Sequence, residues 1–196
     1  MTGARLRSLV LELRQLAAAL RAVGVHGPGA VVVSGLLAEQ LARGLGADAE
    51  PGALQVGEGT APPGAGVAVH VLAGEPSEGD RAYVAACDAR GVPVVIVQVW
   101  PQAERRQPFV LSPFVVECRA GEGFPLGEIA ARIAVAAEDA AALAARIPAL
   151  REAVVRELVR TSVVRSALLA LLAAGDRGAR AALTLEQARL LARLRV

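Results

Sequence analysis

The chain has 196 residues, 54% hydrophobic, 3% aromatic and 20% charged, with a formal net charge of +2. That length suits one domain or a core domain with an appendage, and the apolar fraction excludes a disordered protein. All 21 basic residues are Arg, with no Lys and no Asn, which excludes a phosphate-loop Lys, a Schiff-base Lys and an Asn-Lys base-reading motif. A charge near zero gives no electrostatic reason to bind nucleic acid, so no nucleic-acid partner is expected.

Residues 4 to 23 predict a helix, with Leu6, Leu9, Val10, Leu13, Leu16, Leu20 and Val23 at helical spacing, ended by Gly24 and by His26 to Gly29. Ala30 to Val33 is a short β-branched run; Ser34-Gly35 follows, and then a helical pattern from Leu36 to Leu45. The Gly- and Pro-rich stretch 46–66 contains a short edge strand at Ala53 to Val56. Val67 to Leu72 predicts a second strand, and Gly74 to Glu78 a turn. Ser77 serves as N-cap and Asp80 as a first-turn acid of a helix reaching about Arg90. Val94 to Val99 is the near-continuous apolar run of a strand buried on both faces, closed by Trp100-Pro101. After a polar loop come short strands at Phe109 to Leu111 and Phe114 to Cys118, then a helix from Leu126 to Ala137. From Glu138 onward the pattern is helical only: Asp139 to Ile147, Pro148 to Thr161, Ser162 to Ala174 and Ala181 to Leu194, with a break at Gly175 to Gly178. The expected organisation is an amphipathic helix over 1–24, an α/β domain over 25–137 and a helical domain over 138–196.

The fold expected is α/β: an open, mostly parallel sheet of Rossmann-like, three-layer type with an N-terminal helix and an all-helical C-terminal domain. Cys87 and Cys118 lie outside any CxxC pair, so no metal site is expected. They leave one disulfide open but fit two buried structural thiols better. The start Met1 to Arg7 lacks the apolar core and cleavage site of a signal peptide. No stretch reaches the roughly 18 apolar residues of a spanning helix, and a cytoplasmic location is expected.

One stretch is similar to the second half of a P-loop GTPase domain. Val67 to Leu72, the acidic-Pro turn Gly74-Glu-Pro-Ser-Glu78, a helix and the Gly91-Val-Pro93-led strand to Gln98 follow that domain's order. The resemblance covers roughly residues 30 to 137. Asp176, Leu183-Thr184, Gln187 and Arg189, after the small-residue helix Ala167 to Ala174, resemble the 697 family of bacterial helical domains of unknown function. That family's Pro-Gly-x-Asp-x-Pro break lacks its prolines here. The resemblance implies a GTPase-like sheet carrying a helical domain, but the nucleotide motifs depart from the pattern. Val33-Ser-Gly-Leu-Leu-Ala-Glu39 stands where a phosphate loop would need further glycines and Lys. Gln98-Val-Trp100 stands where the guanine-reading motif belongs.

The candidate binding residues are Ser34, Gly35, Gly74, Glu75, Gln98 and Trp100, a vestigial pocket at the carboxyl ends of strands. An ordinary strand–helix turn accounts better for Ser34-Gly35, and a hydrophobe capping the sheet better for Trp100. His70 alternates with apolar neighbours and shows no Ser, Cys or Asp partner at recognisable spacing, so it reads as a sheet histidine rather than a general base. No catalytic residue is assigned. Arg151, Arg156, Arg160 and Arg165, with Glu152 and Glu157 between them, read as a solvated helix face rather than a lipid-binding one. Leu168, Leu169, Leu172, Leu183, Gln187, Leu190 and Leu191 are the candidate interface of an αα-hairpin that needs apolar cover. Together these features point to a non-enzymatic interaction or scaffold protein, bound to a protein partner or self-associated as a homo-oligomer, with no cofactor. The alternatives are a nucleotide-binding regulator, holding a weakly bound nucleotide without hydrolysis, and a peripheral membrane protein using its Leu-rich helices.

Overall fold

The computed structural model of the chain describes residues 29–57, 64–100, 114–119, 121–172 and 177–194. The expected helix over 4–23, the strand at Phe109 to Leu111, the last two residues of the helix expected to end at Ala174, and residues 175 and 176 of the expected break lie outside these residues.

Five strands form one sheet in which every pairing is parallel: β1 (Ala30–Gly35), β2 (Leu54–Val56), β3 (Ala65–Ala73), β4 (Val94–Val99) and β5 (Val115–Cys118), in the order β2-β1-β3-β4-β5. The fold is the α/β, Rossmann-like core that the alternation of strand and helix patterns implies. The three central strands are apolar on both faces: Val31, Val32, Val33, Val67, Ala68, Val69, Val95 and Val97 are all fully buried. A parallel sheet covered by helices on both sides requires such runs. β2 is three residues long, with Val56 exposed, as suits an edge.

The helices of the sheet domain are α1 (Ala38–Leu45), α2 (Glu78–Asp88) and α3 (Leu126–Ala136). α1 buries Ala38, Leu41, Ala42 and Leu45, the i, i+3, i+4, i+7 stripe of a helix lying on a sheet. From β1 the chain crosses outward to β2, and from β3 it crosses the other way to β4. Right-handed crossovers therefore put α1 and α2 on opposite faces. α3 shares the face of α1, since a Cβ at Gly44 of α1 would meet the Leu126 side chain at 3.2 Å. Ser77 caps α2 as the sequence predicts: its Oγ accepts the Asp80 N–H at 3.2 Å, and Asp80 Oδ2 accepts the Ser77 N–H at 2.7 Å.

α4 (Ala140–Arg146) and a 3₁₀ turn (Pro148–Leu150) pack with α3. The compact unit holding the sheet extends over Pro28–Val154. Residues 138–154, assigned by their pattern to the helical part, thus belong to the sheet domain. Ile147 and Leu150 are buried there, and the Glu50 N–H donates to the Arg146 carbonyl at 2.8 Å. The second unit contains α5 (Arg151–Leu172) from Val155 onward and α6 (Arg177–Leu194). The helices expected over Pro148 to Thr161 and Ser162 to Ala174 are one helix. No Gly or Pro separates them, and Thr161 Oγ1 donates to Glu157 Oε1 at 3.1 Å, one turn back, instead of capping a new helix. α6 begins four residues before the expected Ala181 and takes Gly178 into its first turn. Glu186 is buried and paired with Arg165 Nη1 at 3.5 Å and Arg189 Nη1 at 3.7 Å.

Cys87 and Cys118 are both buried and unpaired. Among the described residues no helix is long and apolar enough to cross a membrane.

Candidate functional site

In open parallel sheets, ligands bind outside the carboxyl ends of the strands where the winding direction reverses. Here the reversal falls between β1 and β3. The turns after these two strands carry Ser34, Gly35, Gly74 and Glu75. Gln98 and Trp100 close β4 two strands away from β1, so the sheet gathers all six sequence-predicted residues at one end. Their detailed geometry departs from a nucleotide pocket in three places.

Ser34 is only 1% exposed and faces inward. It stands opposite His70 in the register of β1 and β3, and its Oγ lies 2.8 Å from His70 Nδ1. His70 Nε2 in turn lies 2.7 Å from Asp80 Oδ1, in the first turn of α2. A carboxylate only accepts, so Nε2–H donates to Asp80 and Nδ1 accepts the Ser34 hydroxyl proton. The Tyr83 ring stacks on His70, with centroids 4.6 Å apart and planes at 22°. Its hydroxyl is buried beside Ser34 and Cys87 without a hydrogen-bond partner. Burial pushes the Tyr83 phenol and the Cys87 thiol up. Burial also works to raise the Asp80 carboxyl, but hydrogen bonds from Ser77 and His70 outweigh it and hold that group below its ordinary 3.8.

Hydroxyl, imidazole and carboxylate in series form the relay that activates a nucleophile. The Ser34 oxygen is almost fully buried, and the neighbouring Leu36 N–H is committed to the Val71 carbonyl at 2.9 Å. The relay therefore locks β1, β3 and α2 together from inside. Sequence reasoning missed it because Ser34 and Asp80 lie 36 and 10 residues from His70. The one local signal was Asp80, a first-turn acid directly after the strand that carries His70.

Gln98 is likewise engaged. Its Nε2 donates to the Gly74 carbonyl at 3.0 Å, tying the turn after β3 to β4 rather than presenting an amide to a base.

The third departure is apolar. Leu36 is 47% exposed, Leu37 41%, Val56 48% and Trp100 53%. Leu37 and Trp100 hold left-handed backbone at φ 57° and 53°, which costs a residue with a Cβ about 1–2 kcal/mol. Such strain concentrates at functional positions. Leu37→Gly is expected to be more stable than Leu37→Ala by about 0.5–1 kcal/mol, because glycine alone tolerates this φ. Denaturant unfolding of the two variants measures the difference, and the opposite order would mean that Leu37 is not held left-handed in solution.

No family model matches the chain, and comparisons with curated proteins and with solved structures gave no match.

Proposed function

We propose that this chain is a non-catalytic interaction module that binds an apolar protein surface at the carboxyl end of its sheet. One observation carries the reading. Of the five large hydrophobic residues exposed on the described part of the sheet domain (Leu36, Leu37, Val56, Trp100 and Val135), the first four stand at that end. They span β2 to β4, about 14 Å at the usual strand spacing. An exposed apolar cluster at the position where such sheets bind ligands is a recognition surface, and a Trp at its margin is the residue type that anchors interfaces. A GTPase-like origin belongs to the same proposal: β3, the acidic-Pro turn, α2 and the Gly-x-Pro-led β4 keep that order, while the phosphate-binding chemistry has been exchanged for two leucines.

Nucleotide is the competing ligand, and thermal unfolding tests it. GTP, GDP and ATP with magnesium are each expected to leave the midpoint unchanged. A nucleotide present at a hundredfold excess over its Kd would add about 2.7 kcal/mol of stability, and a concentration-dependent rise of that kind would overturn the proposal.

A further inference from the structure

We infer that the helix expected over 4–23 lies antiparallel along the exposed valine line of α5, so that the chain covers this face with its own N-terminal segment. The inference goes beyond the reading of the sheet's carboxyl end and does not depend on it.

The pattern of the segment specifies the kind of surface it fits. Leu6, Leu9, Leu13, Leu16, Leu20 and Val23 alternate three and four residues apart, with Val10 beside them. That alternation is the narrow seam by which one helix packs along another at a small crossing angle. Arg7, Arg14 and Arg21 each follow a seam residue by one position, which on a helix sets them away from the seam. A helix of this length draws most of its stability in water from packing its apolar side, so the seam requires a helical face to cover it.

α5 presents such a face. Val155, Val159 and Val163 follow one another at every fourth residue and are 45%, 41% and 61% exposed. Ser166, half-buried, continues the line one turn on, and its small side chain suits a close approach of two helices. The line from Val155 to Ser166 is about 17 Å long and a helix over 4–23 about 30 Å, at 1.5 Å per residue.

Attachment selects this face. The chain enters the sheet domain at Gly29, whose carbonyl accepts a hydrogen bond from Arg146 Nη1 at 3.4 Å. Arg151, the first residue of α5, donates its Nε to the Ala144 carbonyl at 3.2 Å. The last turn of α4 therefore holds both the entry of the chain and the foot of α5. Residues 24–28 bridge at most about 17 Å, so Val23 comes beside Val155 and the helix runs back along α5 with opposite chain direction. The apolar cluster at the carboxyl end of the sheet lies beyond that reach, since β1 carries the chain about 23 Å from Gly29 to Leu36.

Hydrogen–deuterium exchange on the full-length chain tests the inference. Peptides covering residues 4–23 are expected to be protected, equally so on dilution. Val159→Glu with Val163→Glu is expected to abolish that protection and to leave β1, β3 and β4 exchanging as in the wild-type chain. Unprotected exchange over 4–23 in the wild-type chain, protection that survives the double substitution, or protection lost on dilution, as cover by a second copy would give, each overturns the inference. If the two glutamates unfold α5, disulfide trapping decides instead, because both native cysteines are buried. Leu20→Cys with Val159→Cys, and Leu16→Cys with Val163→Cys, are expected to close within one chain on mild oxidation. Leu20→Cys with Val135→Cys, an exposed position on α3, is expected to stay open. Failure of both α5 pairs to close, closure between chains only, or equal closure at Val135 overturns the inference.

Discussion

Gly35→Ala is expected to destabilise the sheet domain by about 3 kcal/mol or more, the largest effect of any single methyl addition at the carboxyl end of its sheet. Gly35 closes β1 at φ +86°, and a Cβ there would lie 2.1 Å from the Val71 carbonyl oxygen and 3.1 Å from His70 Cε1. The clash is with backbone, and that same carbonyl accepts the Leu36 N–H that shapes the turn. Left-handed strain contributes about 1–2 kcal/mol and overpacking about 1–3 kcal/mol. Gly52→Ala separates the two contributions. Gly52 also has a positive φ, 77°, but nothing lies within 4 Å of its Cβ position, so strain alone, about 1 kcal/mol, is expected there. Denaturant titrations with unchanged m-values measure both. Equal costs at the two glycines would mean that the close approach of β1 to β3 is absent in solution.

His70→Leu is expected to cost about 2–4 kcal/mol, since it removes two hydrogen bonds and leaves the buried Ser34 hydroxyl and the Asp80 carboxylate without that partner. Ser34→Ala is expected to cost less, about 1–2 kcal/mol, because only His70 Nδ1 loses its partner. The double variant should fall short of the sum, as groups in one network couple. Additivity would show that the Ser34–His70 contact is not made. The same relay sets a pH dependence. The folded chain holds the Asp80 carboxyl below its ordinary value, so it binds that proton less readily than the unfolded chain does. The resulting stabilisation is present above the ordinary value of 3.8 and is lost as pH falls below it toward the folded value. Asp80→Asn should flatten this acid limb of the stability curve. An unchanged limb would assign the acid sensitivity to other carboxylates.

Legibility in the sequence followed the range of the interaction. Val94–Val99 was read to the residue, because a strand buried on both faces must be apolar throughout and a Gly-x-Pro turn marks its start. Ser77 with Asp80 was legible because a capping box is complete within four residues. The boundary expected between Thr161 and Ser162 is absent, because both side chains are accommodated inside α5, with Thr161 bonded to Glu157 and Ser162 buried. Of the interface residues read from the leucine pattern, Leu168, Gln187 and Leu191 are exposed and Leu183 and Leu190 half-buried, while the side chains of Leu169 and Leu172 lie outside the described residues. The exposed valines of α5 passed unnoticed beside the arginines, since a sequence does not state which turn of a helix is covered.

By itself the sequence determined the alternation of strands and helices, the cap and turn chemistry, and the absence of Lys from any phosphate site. These rest on neighbours a few residues apart, whose backbone preferences and periodicities act locally. Only the tertiary structure decided the strand order, the reversal between β1 and β3, and the register that sets Ser34 against His70. A shift of one residue in that register would turn Ser34 to the opposite face of the sheet. Ser34 therefore faces inward, with its hydroxyl on His70, and Leu36, Leu37 and Trp100 face solvent, because long-range pairing rather than local propensity fixes which side of each strand the core claims.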